Sequence, residues 1–373
     1  MLAKMAATSI FRPRRQWARI DAPGAFRHHR RRNAGLTRRR LVQHAHVLAF
    51  ILRRILQSIA VMGVVALIAF ALFNFTGDPV VFMVGQDATA EEKAQLRAEL
   101  GLDKPAVIQF ARFVGNALEG DFGRSLRQGR QVSVLLKERL PATLELATAA
   151  ALLAMVAGIP LGVYTALRRD TWLSHFLLAG SLVGVSLPTF LIGILLILVF
   201  AVLLGWLPSF GRGETVALGW WTTGLLTASG LKALVLPAIT LSLFQMTLVM
   251  RLVRSEMLEV LRTDYIKFAR ARGLTDRAIH FGHALRNTLV PVITIAGLQL
   301  GGIIAFAIVT EQVFQWPGMG LLLIQAINFA DIPVMAAYLC LIAFVFVVLN
   351  LTVDLLYYAV DPRLRAERLA VAQ

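Results

Sequence analysis

The chain has 373 residues, of which 57% are hydrophobic and only 16% charged, and its formal net charge is +16. An ordinary water-soluble fold cannot bury so much apolar surface, so the composition favours a membrane protein. The charge does not indicate a nucleic-acid partner, because residues 1–46 hold twelve Lys and Arg against one acid, Asp21, and so carry +11 of the total. The single cysteine, Cys340, excludes an internal disulfide.

The first 46 residues contain no apolar stretch and no sustained periodicity, which predicts a disordered basic extension. We expect this extension to be cytoplasmic and to contact anionic lipid rather than nucleic acid, because no folded nucleic-acid-binding module accompanies the charges. Residues 47–365 then form the transmembrane domain, and residues 366–373 form a cytoplasmic tail.

Six stretches are long and apolar enough to cross about 30 Å of hydrocarbon at about 1.5 Å per helical residue. The third is long and contains Pro188, which predicts a kink. The predicted spans are Ile55–Phe75, Ala142–Leu167, Trp172–Leu207, Leu231–Val253, Thr288–Thr310 and Pro333–Tyr358.

Residues 76–141 separate the first two spans and are predicted to form a small external insertion. Its first helix should cover Ala90–Leu100 and stop at Gly101, and its second should cover Pro105–Leu118 and end near Gly120. The predicted fold class is therefore an all-α integral membrane protein with six transmembrane helices and a small external helical insertion.

The Lys and Arg residues of the short connections lie on one side of these spans. Residues 251–287 hold eight of them, Arg168 and Arg169 join the second and third spans, and the tail carries Arg363, Arg365 and Arg368. Because positive residues are retained in the cytoplasm, we expect both termini to be cytoplasmic.

The cytoplasmic loop of residues 255–287 shows a helix, a stop and a second helix. We expect the first helix over Ser255–Arg272, ended by a left-handed Gly273, with Thr275 capping the next helix. The exposed apolar side chains of this loop indicate a partner that covers them. The alternative is a pair of interfacial helices whose arginines contact lipid phosphates.

Several sequence segments resemble one family of transporters. DYIKFARARGL at residues 264–274, followed by HALRNTLVPVIT at residues 283–294, is similar to the coupling loop of permeases of binding-protein-dependent ABC importers, in the dipeptide, oligopeptide and nickel branch. Lys267-Phe268-Ala269 stands where the general signature has Glu-Ala-Ala, and the family usually lacks the basic extension. Further matching segments are GDP at 77–79, LGLDKP at 100–105, GDFGRS at 120–125, GWLP at 205–208, EQVFQWPGMG at 311–320 and VDLLYYAVDPRLR at 353–365.

The resemblance implies a type I ABC importer permease in a bacterial inner membrane. It implies a second homologous permease, two ATPase subunits that use ATP and Mg, and an external substrate-binding protein. This chain has no GxxxxGK[ST] phosphate loop, so we expect it to bind no cofactor and to catalyse no reaction. The residues assigned to the ATPase contact, with the small ones allowing close approach and the arginines meeting the ATPase or lipid phosphate, are Tyr265, Phe268, Ala269, Arg270, Ala271, Arg272, Gly273, Leu274 and Arg277.

Polar residues within spans are candidates for the translocation pathway, although amides can also simply bridge helices. The candidates are Gln245 and Gln299, together with Trp316, Pro317 and Gly318, which should form an external turn. We expect His280 and His283 to have structural or interface roles rather than to bind a metal.

Two other functions are compatible with a membrane protein of this kind. A secondary transporter or channel would need no ATPase, but it usually shows ionisable relay groups, which are scarce in these spans. A membrane-anchored regulator would act through its basic tail. Dipeptides, oligopeptides, glutathione and nickel complexes all stay open as substrates, since specificity in this family rests largely with the binding protein.

Overall fold

The computed structural model describes residues 52–72, 89–100 and 103–360. The predicted basic extension, the C-terminal tail and Gly101 lie outside the described residues. The described residues from 58 to 360 belong to one compact unit, and the described part of the other unit is a short helical stretch, residues 52–57. The elements are α1 Leu52–Leu72, α2 Ala90–Leu100, α3 Ala106–Glu119, α4 Val132–Leu167, α5 Trp172–Ser186, α6 Thr189–Leu196 with a π-helix Ile197–Leu203, β1 Val216–Leu218, β2 Trp221–Thr223, α7 Ala228–Val260, α8 Asp264–Ala271, a π-helix Ala278–Ala284, α9 Leu285–Val313, α10 Met319–Asn328 and α11 Ile332–Val360.

Four described helices are long and apolar enough to span a membrane by themselves, namely α1, α4, α7 and α11. Two bent pairs raise the number of spans to six if each pair counts as one. One pair is α5 with α6 and its π-helix, and the other joins 278–297 to 299–313 at an angle of 46°. These six stretches correspond to the six predicted spans.

The third predicted span is broken rather than kinked. Its two helices meet at 111°. Leu187 takes extended backbone (φ −88°, ψ 138°) because a residue before proline is disfavoured in the helical region, and Pro188 follows with ψ 136°. Two consecutive non-helical residues redirect the chain, so the prediction of a single kinked helix was wrong.

Helix α4 begins at Val132, ten residues before the predicted start at Ala142. The charged residues just before Pro141 resemble a helix boundary in the sequence, yet the helix continues through that proline. Helices α4 and α7 run in the same direction, since Arg254 Nε of α7 donates to the carbonyl of Thr165 near the end of α4 (3.3 Å). We call this end of the molecule, with Arg168, Arg169 and the α7–α9 connection, the basic end.

Two glycines four residues apart bring α4 against α7. A Cβ at Gly162 would lie 2.6 Å from Val253 Cβ and 2.7 Å from the carbonyl oxygen of Met250, and one at Gly158 would lie 3.0 Å from the carbonyl oxygen of Met246. Small residues at this spacing allow two helix backbones to approach closely within a membrane. This contact makes α4 and α7 the central pair of the fold.

Gly162→Ala is therefore expected to destabilise the chain by about 1–3 kcal/mol, because the added methyl group has no room between the two helices. Thermal unfolding in lipid nanodiscs measures the effect. The matched control is Gly180→Ala in α5, where a Cβ would meet nothing within 4 Å. Equal effects of the two substitutions would show that α4 and α7 do not need this close contact.

The loop at the basic end differs from its prediction. Helix α7 continues to Val260, and a separate short helix, α8, starts at Asp264, so the predicted single helix Ser255–Arg272 was wrong. The break falls where Thr263 takes extended backbone (ψ 153°) and Asp264 opens the next first turn, an arrangement that favours a new helix start. Gly273 has φ +78°, which confirms the predicted left-handed stop.

Both helices predicted within the insertion are present, although its last residues, 132–141, belong to α4. Helix α3 ends at Gly120 with φ +78°. Helix α2 begins with a reciprocal pair, in which Thr89 N–H donates to Glu92 (2.9 Å) and Glu92 N–H donates to Thr89 Oγ1 (3.3 Å). These hydrogen bonds, led by the one from the Thr89 backbone, hold the pKa of the Glu92 carboxyl below its usual value.

Two elements opposite the basic end were not predicted. Strands β1 and β2 form an antiparallel hairpin in which Leu218 pairs with Trp221 across a loop of Gly219 and Trp220. Helix α10 is a short apolar helix between α9 and α11. Neither element is long enough to cross a membrane. Both pack at the end of the helix bundle that lies opposite the basic end.

Candidate functional site

Helix α8 at the basic end has an inward face that belongs to the core. Ile266 is fully buried and Ala269 nearly so, and both pack with Val253 and Met257 of α7 and with Ile279 of the π-helix that leads into α9. The same cluster includes residues near the end of α4. Helix α8 therefore cannot shift without displacing α7 and α9, because close-packed side chains transmit displacement.

The outward face of α8 exposes apolar surface beside arginines. Phe268 is 64% exposed and Tyr265 41% exposed. Arg272 holds its guanidinium carbon 5.8 Å from the centroid of the Phe268 ring, a cation–π arrangement. Asn287 Nδ2 donates to the Tyr265 hydroxyl (2.7 Å), which links α8 to α9. We call the residues exposed here the α8 surface: Tyr265, Phe268, Arg270, Ala271, Arg272, Gly273, Leu274 and Arg277.

One residue assigned to the partner contact lies elsewhere. Ala269 faces the core of this chain, so it cannot also give a partner close approach, because the side chains of the α7–α9 cluster already cover it. The small residues that stay open are Ala271 and Gly273, both exposed. A Cβ at Gly273 would meet nothing within 4 Å.

An apolar groove of about 440 Å³ opens between α4, α7, α9 and α11. Gln245 of α7 lines it and is 4% exposed, and its Nε2 atom has no hydrogen-bond partner among the described residues. A buried amide without a partner is costly, so such a group in a native structure calls for an explanation. Gln299, the other predicted amide, is half-buried and does not line this groove.

The turn after α9 is a packed structural element. Trp316 is 1% exposed, its indole N–H donates to the carbonyl of Ala142 (2.9 Å), and its backbone N–H donates to the carbonyl of Glu311 (2.9 Å). A side chain enclosed in this way cannot line an open pathway. Trp316 is therefore corrected from a pathway candidate to a core residue, while the turn of Trp316, Pro317 and Gly318 lies opposite the basic end, next to Ala142 of α4.

The packing around the buried Glu311 side chain requires glycine at positions 318 and 320. Its buried carboxyl accepts from Thr143 Oγ1 (2.6 Å) and from the backbone N–H of Leu321 (3.0 Å). A Cβ at Gly318 would collide with that carboxyl, and one at Gly320 would lie 2.6 Å from Ile308 Cα. The segment EQVFQWPGMG thus folds the start of α10 onto the end of α9.

A buried ion pair holds the hairpin against α4. Glu145 of α4 accepts from Arg212 and also from Thr223 Oγ1 (2.6 Å) and the backbone N–H of Gly224 (3.0 Å). Arg212 additionally donates to the carbonyl of Thr222 (2.7 Å). With every strong polar group of the pair satisfied, the hairpin is fixed on the bundle.

Asp331 also has a buried carboxyl, and its hydrogen bonds hold the insertion against the loop before α11. Its carboxyl accepts from Ser125 Oγ and from the backbone N–H of Leu126 (3.1 Å). The segment GDFGRS therefore ends in a serine that closes the insertion onto the loop before α11. Three buried carboxyls, at positions 145, 311 and 331, thus each fix one element opposite the basic end.

The described residues offer no group of three or more His, Cys, Asp and Glu side chains that could hold a metal ion. His280 is half-buried and His283 is exposed, both at the basic end. The described residues therefore show helices long and apolar enough to span a membrane, an apolar groove, and the exposed α8 surface at the basic end. These features define a polytopic membrane protein of transport.

Comparison with known proteins identifies the family. The profile described as "Binding-protein-dependent transport system inner membrane component" matches residues 158–366, and the N-terminal profile of the same kind of membrane component matches residues 47–147. The chain belongs to this family. It is accordingly an inner-membrane transporter subunit, not an enzyme, in a system that depends on a binding protein.

Named relatives are similar over most of the chain. The dipeptide transport system permease DppB of Haemophilus influenzae is 41% identical over 330 residues, covering 85% of this chain and 99% of that protein. The di/tripeptide transport system permease DppB of Pseudomonas aeruginosa is 40% identical over 336 residues, covering 86% of this chain and all of that protein. Among solved structures, a chain of the inward-facing MetNI methionine ABC transporter matches with 20% identity and a TM-score of 0.48, over 61% of this chain and 96% of that chain.

Proposed function

We propose that this chain is the permease subunit of an ATP-driven peptide importer and that the α8 surface docks a separate ATPase. The observation that carries the proposal is the two-sided packing of α8. Its inward residue Ile266 is locked to α7 and α9, while Phe268 on the opposite face is exposed. A partner that moves α8 therefore also moves the helices that line the groove.

Peptides are the substrate class that the relatives favour, because two of them are named for dipeptide and di/tripeptide transport. The groove is almost wholly apolar apart from threonines and Gln245. Such a lining suits a pathway that passes peptides without binding them tightly. Oligopeptides, glutathione and nickel complexes are the competing cargoes.

The proposed assembly adds the subunits that would complete the pathway, consume ATP and deliver the substrate. A second homologous permease would complete the pathway, two ATPases would consume ATP and Mg, and an external binding protein would deliver the substrate. The basic end would face the cytoplasm with both termini, because its connections carry the Lys and Arg residues.

The test is reconstitution of the chain in proteoliposomes together with the second permease, the ATPases and the binding protein of the same transport system. Uptake of a labelled dipeptide, driven by internal ATP and dependent on the binding protein, is the expected result. Uptake driven by an ion gradient without the ATPases would instead show a secondary transporter.

Gln245→Leu is expected to leave thermal stability unchanged or slightly higher, because the Nε2 atom that it removes makes no hydrogen bond to any described residue. If the amide serves the passing peptide, uptake should fall by up to about tenfold, the worth of one hydrogen bond. Initial uptake rates in proteoliposomes measure this. Gln299→Leu is the control, and equal uptake rates in the two variants would remove Gln245 from the pathway.

A further inference from the structure

The connection between α6 with its π-helix and α7 carries an unusual amount of exposed apolar surface. Trp206 is 65% exposed and Trp220 69% exposed, so the described part of the chain leaves most of both side chains uncovered. Residues 204–227 contain only two charged residues, of which Arg212 is buried in its ion pair with Glu145. We call the exposed apolar side chains of this connection the hairpin patch: Trp206, Phe210, Leu218, Trp220, Leu225 and Leu226.

The depth of the hairpin follows from the helix that holds it. After Glu145, helix α4 runs from Leu146 to Leu167, which is 22 residues without a charge, before Arg168. At about 1.5 Å per residue this stretch is about 33 Å long, close to the hydrocarbon thickness of about 30 Å. With Arg168 at the boundary of the basic end, Glu145 lies at the opposite boundary, and the hairpin bonded to it lies there too.

The hairpin patch is also continuous with surface that faces lipid. The π-helix of the third span ends with Val202 and Leu203 exposed, and Trp206 follows shortly after Leu203 in the sequence. Trp206 contacts Phe200 of that helix, with ring centroids 6.0 Å apart. Trp220 stands at the tip of the hairpin and packs edge-on against Trp221, with centroids 5.4 Å apart.

We propose that the hairpin patch inserts into the headgroup region of the membrane leaflet opposite the basic end. Tryptophan favours this region because its ring is apolar while its N–H can meet water or lipid oxygens. The Glu145–Arg212 pair holds the hairpin at that depth. The hairpin thereby anchors the outer ends of α6 and α7 to lipid, independently of any cargo or ATPase.

Tryptophan fluorescence tests the proposal with the assembled full-length protein in nanodiscs that contain phosphatidylcholine brominated near the headgroup. Trp220→Phe is expected to remove a share of the lipid-quenchable emission at least as large as Trp172→Phe. Trp172 is the matched positive control, since it is similarly exposed and follows Arg168 and Arg169 at the other boundary. Trp206→Phe should behave like Trp220→Phe.

Aqueous iodide supplies the second measurement. If Trp220 emission were quenched by iodide and not by brominated lipid, the hairpin would stand in water and the proposal would fail. Loss of the lipid quenching when the external binding protein is added would assign the patch to that protein instead, and would equally overturn the lipid contact.

Discussion

Phe268→Ala is expected to weaken binding of the ATPase to the permease by about 30-fold or more. The side chain is exposed on the α8 surface, stacked with Arg272, and an aromatic residue of this kind is worth about 2 kcal/mol or more when it is buried at the centre of an interface. The fold should be unaffected, because the ring makes no core contact. Co-purification of the ATPase and substrate-stimulated ATP hydrolysis measure the loss.

Ile266→Ala is the matched control on the inward face of the same helix. Ile266 is fully buried in the cluster with Val253 and Met257, so its truncation should cost about 2–5 kcal/mol of stability. Arg272→Glu should behave like Phe268→Ala, leaving a stable membrane protein that is uncoupled. Gly273→Asp should also uncouple it, at a cost of about 1 kcal/mol of stability because residue 273 has φ +78°. Full ATPase binding and stimulation in all three exposed-face variants would refute the docking assignment.

The basic end was largely predictable from sequence because its signals are local. Helical periodicity marked Tyr265 and Phe268, and a glycine after the last helical residue marked the stop at Gly273. The break at Thr263 was missed, although Thr-Asp is a typical helix start. Ala269 was misassigned because periodicity alone does not say which side of a short helix meets the core.

The opposite end was poorly predictable because its order depends on contacts between residues far apart in the chain. Glu145 pairs with Arg212 across 67 positions, and Glu311 bonds Thr143 across 168. One signal was available for the first pair. Glu145 is a lone acid in an apolar span and Arg212 is the only basic residue of residues 208–230, so the cost of a buried charge would have suggested that they meet.

The 111° break at Pro188 shows a different limit of sequence reasoning. The proline predicts that the helix is interrupted, but the size of the bend depends on whether the residue before it stays helical. Leu187 leaves the helical region, so the two halves separate widely. Contacts with α7 accompany the bend, since Thr247 Oγ1 donates to the carbonyl of Ser181 (3.2 Å) and a Cβ at Gly184 would lie 3.1 Å from Thr247 Oγ1.

Arg212→Met should destabilise the chain by about 3–5 kcal/mol, because it leaves Glu145 buried without its counter-charge. The hairpin should then detach, and a protease should cut residues 204–227 more rapidly than in the native chain. The double variant Arg212→Met with Glu145→Gln removes the uncompensated charge while keeping an oxygen for Thr223 and Gly224 to bond. Its stability should therefore exceed that of Arg212→Met alone, whereas two independent destabilising substitutions would add and make it lower.

Thermal unfolding in nanodiscs decides between these results. If the double variant is no more stable than the single one, charge compensation is not what the pair contributes to stability. The hairpin would then be held at its depth by the hydrogen bonds of Thr223 and Gly224 alone.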